Sequence, residues 1–382
     1  MKAYSALLDK AIANPEGLST NEVMALLTPP SMAAARRLWQ TAHLRRLDTT
    51  GKCIHLRAII EFSNYCRQDC LYCGLRGSNS RVSRYRMTPE AIVEAAIKAH
   101  RVHKFGTFVL QSGEDPGYGL EDLKWAVQEI GLTTNAAVTL SIGERPYGIY
   151  RALREAGADR FLLKFETSDG ELFQGLKPTT ALEQRLGCLD TLRSLGYQIG
   201  SGIILGLPGQ DLESVACDLL LCRDEDYEMV SIGPFIPHPD TPLGSASLTS
   251  NVYSTVTTIA VARLLVPYAH MPATTALGVM GQNDKWWKRE APQLQDARSL
   301  ALMTGANVLM LDVTPAKYRD SYSIYPGKAG ADGDVISDSI WQAKKDLSSL
   351  GMTICPGRGD SPKQPWGRGN TDVKREGHVY SR

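Results

Sequence analysis

The chain reads as an α/β protein, a complete (β/α)8 barrel of the TIM type preceded by a helical extension. Eight short apolar runs recur along it, at 56–61, 107–111, 136–140, 160–164, 199–205, 229–233, 272–275 and 307–311. Longer stretches with apolar residues at helical spacing lie between them. Such alternation argues for a parallel barrel, and 382 residues with 43% hydrophobic content can build a core of that size.

Residues 1–50 read as the helical extension. Ser19-Thr20-Asn21-Glu22 has the form of a capping box ahead of Val23-Met24-Ala25-Leu26-Leu27. Pro29-Pro30 stops that helix, Ser31 caps the next, and Gly51 ends it. Its arginines, Arg36, Arg37, Arg45 and Arg46, read as a solvated face. The barrel is expected over 51–330. One of its helices starts at Thr88-Pro89-Glu90, a cap with proline at the first helical position, and carries the stripe Ile92, Ala95, Ala96 and Ala99. Another follows Asp211 through Leu212, Val215, Leu219 and Leu220. Residues 331–382 are expected to hold a helix at 339–350, with Trp341 and Leu347 on its apolar side, and a Gly- and charge-rich disordered tail from 367.

The charge balance, 42 basic against 41 acidic residues, gives no electrostatic argument for nucleic acid or a bilayer surface. No apolar stretch reaches membrane-spanning length. Eight cysteines in a chain of this size point to a reducing, cytoplasmic compartment rather than a disulfide framework. Five of them, Cys53, Cys188, Cys217, Cys222 and Cys355, show no metal-like spacing, and Cys217 and Cys222 read as packing residues.

The other three stand apart. Cys66, Cys70 and Cys73 form a CxxxCxxC motif with aromatic Tyr72 before the last thiol. Three thiolates suit a soft iron–sulfur centre and leave the fourth iron of a [4Fe–4S] cube open for a chelating ligand. Zinc would want a fourth Cys or His, and none is obvious. The spacing resembles the radical S-adenosylmethionine (SAM) superfamily. That resemblance implies that SAM chelates the free iron and is cleaved reductively to methionine and a 5′-deoxyadenosyl radical.

Further candidates sit at strand ends, where a barrel places its functional groups. Gln111-Ser112-Gly113-Glu114 follows the second run, and Gly113 permits close backbone approach; it reads as a SAM contact, or alone as an acidic turn. Thr139 follows in the third run. Arg160, Lys164 and Glu166 share one strand face, either as an internal ion-pair network or as a grip on a ligand. Arg185 on the next helix offers a fork to a carboxylate. The turn from Gly206 to Gln210 reads as a platform for adenine or as a tight structural turn. His238, in a proline-rich loop, is a base, an iron ligand or a structural residue. Thr274 and Thr275 put two hydroxyls at the end of the seventh run.

Over about residues 50–328 the segments IEFSNYCRQDCLYCGLR, SRYRMTPEAIVEAA, VLQSGEDPGYG, LSIGERP, GADRFLLKFETS, GYQIGSGIILGLPGQ, IGPFIPHPDTPL, MPATTALG, TGANVLM and YPGK resemble the HydE family, the radical SAM maturases of [FeFe]-hydrogenase. Biotin synthase and methylornithine synthase are related. The resemblance implies one [4Fe–4S] cluster on Cys66, Cys70 and Cys73, and SAM bound by Glu166 and Arg185, with Tyr72, Gln111, Ser112, Gly113, Thr139 and Met229 around it. It places Arg160, Lys164, Thr274, Thr275 and Tyr318 about a small iron complex carrying carbon monoxide, cyanide and cysteine. It also implies a ferredoxin- or flavodoxin-like electron donor and other hydrogenase maturases as partners.

Three features depart from the family. Lys164 stands where an arginine is usual, which keeps the charge and loses the fork. After YPGK come Ala329-Gly330-Ala331-Asp332-Gly333 rather than the further cysteines many members carry, so a second cluster is not expected. The stretch 279–289, with Trp286-Trp287, looks longer than the usual loop. It is a cover for the barrel mouth, a partner site or a surface helix with one packed face. A free amino acid, as for methylornithine synthase, is the alternative substrate.

Overall fold

A computed structural model describes residues 2–328 and 335–363. Eight parallel strands form one sheet: β1 (His55–Ser63), β2 (Thr107–Ser112), β3 (Ala137–Ser141), β4 (Arg160–Leu162), β5 (Gln198–Leu205), β6 (Met229–Pro234), β7 (Pro272–Ala273) and β8 (Val308–Asp312). Their order is β6-β5-β4-β3-β2-β1-β8-β7. The sheet curls until its ends meet, where Met229 of β6 bridges His270 just ahead of β7. Each strand grows from one of the eight apolar runs, and helices connect them as the alternation requires.

The strands alternate in the usual way. On β1, Ala58, Ile60 and Phe62 pack outward into the core shared with the helices. His55, Arg57, Ile59, Glu61 and Ser63 take the opposite, lumen side. The same parity puts Thr107, Gln111, Thr139, Arg160, Gln198, Met229 and Asp312 in the lumen, which is therefore polar and charged.

The extension forms three helices, Lys2–Ala13, Thr20–Leu27 and Met32–Thr50. Ser19 and Glu22 make the reciprocal capping box, and Ser31 caps the third helix. Trp39 anchors that helix to the barrel helix Val252–Leu265, its indole donating to Thr257 Oγ1 at 3.3 Å. The arginines do not form one solvated face. Arg46 is fully buried and donates to the Gly51 carbonyl, because the wide apolar stripe of this helix turns it inward. Trp286 and Trp287 pack as well: Trp286 meets Trp39 and Tyr253 edge-on, and Trp287 is buried with its indole N–H on the Gly281 carbonyl. The stretch is thus a helix, Trp286–Glu290, with a packed face.

Other expectations are corrected at the cysteines and at the C-terminus. Cys53 and Cys355 form a disulfide across 302 residues of sequence. Cys222 is buried, as a packing residue should be, but Cys217 is exposed. The last described helix runs Val335–Ser349; Leu347 is buried, whereas Trp341 is 61% exposed. The expected tail lies outside the described residues.

Asp218, on the helix Leu212–Asp224, is fully buried and ties two loops together. It accepts from the Ser168 amide and hydroxyl, from Thr167 and from Gln210. Burial outweighs those bonds and raises its carboxyl to about 6. A carboxyl raised on folding favours the native state below its unfolded value, and that contribution is lost as pH rises through the folded value. Asp218→Asn should therefore gain stability relative to the parent between pH 4 and 6, by on the order of 2–3 kcal/mol. Urea unfolding at several pH values checks this; a difference that stays constant across the window would contradict it.

Candidate active site

The cysteine motif occupies the loop after β1, and main-chain bonds hold it on several sides. Asn64 donates to the Ser83 and Ser321 carbonyls and accepts from the Tyr85 amide. The Arg67 amide donates to the Glu114 carbonyl, the Leu71 amide to Leu176 and the Gly74 amide to Ile324. The turn after β2 lies directly against this loop. A Cβ at Gly113 would stand 2.2 Å from the Tyr65 carbonyl oxygen and 2.8 Å from the Cys66 Cβ, so the close approach read from the sequence admits glycine alone.

Cys66, Cys70 and Cys73 are free thiols. Burial, followed by the neighbouring cysteines, pushes the Cys73 thiol far up. Burial does the same to Cys66. Lys177 Nζ donates to Cys70 Sγ at 3.2 Å. Among the described residues no three Cys, His, Asp or Glu side chains converge on a single point, as one zinc ion would need. Around a four-iron cube each thiolate holds its own iron, and such convergence is not required. The donor set fits an iron–sulfur cube: three thiols lie on one loop, and burial, with a smaller part from neighbouring cysteines, raises Cys66 and Cys73 until a bound cationic centre favours the thiolates.

Beside the loop lies a buried ion cluster. Arg185 stands 3.2 Å from Glu114 and 2.8 Å from Glu144. Glu114 also accepts from Gln68 at 2.7 Å and faces Arg67; Glu144 also accepts from Thr180 and Gln184. Burial opposes the Glu114 charge, but Arg185 and Gln68 hold its carboxyl below the usual range. Arg185 is thus first a structural cation.

Glu166 follows β4 with φ 69°, a left-handed backbone uncommon outside glycine. Lys164 pairs with it at 3.1 Å, and Glu166 Oε2 makes no hydrogen bond. The Arg185 cation lies near it, and so does the Tyr72 hydroxyl, which burial and then Glu166 push far up. Tyr72 packs on a small apolar cluster of Leu176, Leu207 and Phe235. Leu207 belongs to the glycine-rich turn, where the Gly206 amide donates to Gln210. Tyr72, Glu166, Arg185 and this turn therefore meet at one side of the mouth. Gln111 contacts Tyr322, and Ser112 Oγ donates to the Gly113 carbonyl.

Deeper in the lumen, Thr139 Oγ1 is buried without a partner. Met229 Sδ accepts from Arg57 Nη1 at 2.9 Å. Arg57 was not singled out from the sequence, and it is the most unusual group in the barrel. It is buried, and among the described residues its Nε and Nη2 have no hydrogen-bond partner. Burial, then the charge of Arg160, pushes its pKa well below the ordinary arginine value. Its signal was the alternation His55, Arg57, Glu61 on a strand whose other face is apolar.

The expected substrate residues do not gather in one place. Arg160 begins β4 at the floor of the barrel, and its guanidinium is spent on Asp360 and the Arg358 carbonyl, 2.6 Å each. Thr274 lies past the far end of β7, where its Oγ1 caps the helix Thr275–Asn283 by accepting from the Leu277 amide. Thr275 pairs with the Tyr325 hydroxyl at 2.5 Å. Tyr318 stacks on Tyr85 at 4.9 Å. His238 uses both ring nitrogens, accepting from the Asp240 amide and meeting Ser323 Oγ, so it is structural. Above the lumen, Lys328 pairs with Glu61, whose carboxyl burial raises to about 8 against the pull of that ammonium.

The radical SAM superfamily model matches residues 60–219. The [FeFe] hydrogenase maturase subunit HydE of Thermotoga maritima is 46% identical over 293 residues, 76% of this chain and 79% of that protein. The 3-methylornithine synthase of Methanosarcina acetivorans is 31% identical over 262 residues, 68% and 74% of the two chains. A crystal structure of methylornithine synthase, 27% identical, superposes with a TM-score of 0.74 over 92% of this chain and 98% of that one. Barrel, cysteine loop and matches together define a radical SAM enzyme, with a [4Fe–4S] cluster and SAM as its cofactors. Within that class the chain belongs to the HydE family.

Reconstituted anaerobically, the chain should hold about four irons, one cube. Gly113→Ala should reduce that content severely while leaving the far-ultraviolet circular dichroism unchanged, because the added methyl displaces the cysteine loop and not the barrel. Normal iron loading in this variant would contradict the packing account.

Proposed function

We propose that the chain is a HydE-type maturase, acting on a small anionic iron complex, a cysteine-bound Fe(CO)2(CN) unit, during assembly of the hydrogenase diiron cofactor. The observation that carries this reading is Arg57, a buried guanidinium on the lumen face of β1 with unused donors among the described residues, in a lumen that also holds the unpartnered Thr139 hydroxyl. Cyanide and carboxylate groups are acceptors for such donors. Cysteines 66, 70 and 73 hold the cluster. Glu166, held by Lys164, takes the ammonium or ribose side of SAM. Tyr72 and the Leu207 turn flank its adenine, and the Gly113 backbone, Gln111 and Ser112 line its methionine part. Bound there, cluster and SAM supply a carbon-centred radical, and the closed barrel keeps water from it. Met229 meets Arg57 through its thioether and lines the cavity beside SAM. The Thr274 hydroxyl keeps its proton free to donate, since its oxygen serves the helix as acceptor. An acidic one-electron carrier of the ferredoxin or flavodoxin class and other hydrogenase maturases are the partners this reading requires.

The 31% identity to 3-methylornithine synthase supports a second reading, a mutase of a free amino acid whose carboxylate Arg57 would grip. Mass spectrometry of quenched reactions separates the two. The maturase reading expects an adenosylated cysteine product with the iron complex and no rearranged lysine; the reverse pattern transfers the assignment to the mutase. Arg57→Met should abolish substrate-stimulated SAM cleavage and retain the slow unstimulated rate.

Glu166→Gln should weaken SAM binding by roughly 1.5–3 kcal/mol, about 10- to 150-fold, with iron content unchanged. Calorimetry under argon checks it, and equal affinity would remove Glu166 from the SAM site. Arg185→Ala is the poorer probe, because it strands two buried carboxylates.

A further inference from the structure

The floor of the barrel is made by the chain's own C-terminal segment. Ile54 and Ile354 form a parallel bridge, with the Ile54 amide on the Thr353 carbonyl and the Cys355 amide on the Ile54 carbonyl. From there residues 355–363 cross beneath the strands. Thr107, at the start of β2, donates to the Arg358 carbonyl at 2.7 Å. Arg358 pairs with Asp159, just ahead of β4. Asp360 receives Arg160 at 2.6 Å and Gln198 at 3.0 Å, from the starts of β4 and β5. His270, ahead of β7, meets the Asp360 carbonyl. Lys363 pairs with Asp226 ahead of β6 at 2.5 Å.

After the cysteine this segment reads Pro356-Gly357-Arg358-Gly359-Asp360-Ser361-Pro362-Lys363. It contains no large aliphatic or aromatic side chain. Hydrogen bonds and ion pairs hold it, and one covalent link, Cys53–Cys355, placed where it joins the barrel. Both cysteines keep partial solvent exposure, which thiol exchange requires. The Asp360 carboxylate sits where a small anion would otherwise satisfy Arg160, a side chain with no solvent exposure.

We propose that Cys53–Cys355 is a thiol-exchange site that clasps a polar plug, residues 353–363, into the barrel floor, and that its reduction by a dithiol opens the lumen from below to small anions. A thiolate of the dithiol attacks one sulfur and forms a mixed disulfide, releasing the other cysteine as thiolate. The second thiol of the reagent then closes its own disulfide. Two electrons and two protons pass to Cys53 and Cys355, and the dithiol leaves oxidised. Freed of its clasp, the plug is held by hydrogen bonds and ion pairs without a covalent link, and it departs and returns, exposing Arg160.

The test uses the full chain with its cluster in place, under argon, isolated without thiol and then either kept so or treated with dithiothreitol. An arginine-selective dicarbonyl, p-hydroxyphenylglyoxal, is added, and modified positions are mapped by peptide mass spectrometry. Arg160 should react at least tenfold faster in the reduced chain, and faster again when salt is raised from about 0.1 to 1 M, since screening weakens the remaining ion pairs. Arg263, fully buried behind the barrel on the Gly305 and Ala269 carbonyls, is the internal control and should stay unmodified in both states. Cys355→Ser should match the reduced parent without any dithiol. If that variant fails to fold, the comparison of oxidised and reduced parent decides alone. Equal Arg160 reactivity in the two states overturns the proposal, as does finding both cysteines as thiols in chain isolated without reductant. Arg263 reacting alongside Arg160 overturns it too, because that is global unfolding rather than release of a plug.

Discussion

The cluster of Arg185 between Glu114 and Glu144 is the constraint on which the mouth of this barrel depends. A guanidinium buried there alone would cost several kcal/mol, and two buried carboxylates without it would cost more. Together they join the turn after β2, the loop after β3 and the helix Leu182–Ser194. Gln68 and Arg67 extend the cluster into the cysteine loop. The loop that holds the thiols is therefore fixed by charge from below and by the Gly113 contact at its side. Burial leaves the Cys66 and Cys73 thiols reluctant to ionise.

The strands were legible because each is a short apolar run bounded by turn or cap signals. The runs at 56–61 and 307–311 sit within a residue or two of β1 and β8. Caps were legible for the same local reason: Ser19 with Glu22, Ser31 and Thr88 each accept the bond that their residue type and spacing imply. What escaped was non-local. Cys53 and Cys355 are 302 residues apart, and nothing in either neighbourhood marks the other. Arg46 was assigned to solvent because arginine usually is; its burial depends on the barrel behind it.

The candidate site was legible in its chemistry and less so in its layout. The cysteine spacing names the donor set directly, and Tyr72, Glu166 and Arg185 do stand together. Arg160, Lys164 and Glu166 share a face, as strand parity requires, but a strand has two ends. Lys164 and Glu166 stand at the mouth, while Arg160 stands at the floor and is neutralised by Asp360. Parity gives the side and not the height, and the partner lies 200 residues away in sequence. Thr274, read as a ligand contact, carries a helix cap as well, and the two roles use different lone pairs and the proton of one hydroxyl.

Charge balance through the lumen separates the groups that build the barrel from the one that does not. Arg160 has Asp360, Arg185 has two glutamates, Lys328 has Glu61, and Lys164 has Glu166. Arg57 has a thioether and, on its other nitrogens, no partner among the described residues. A desolvated cation of that kind costs several kcal/mol, and a sequence free to change would place Met or Leu there and gain packing. Sites that break the rule of paired buried charge are where folds keep function. The cost ends when an anion enters, and the free energy recovered is then available as binding energy deep in a chamber whose chemistry begins at its mouth. A ligand held at Arg57 is oriented by the floor of its site and presented upward to the cysteine loop. In a barrel whose cysteine loop lies at one end, an anion paired with Arg57 would face that loop in one orientation only.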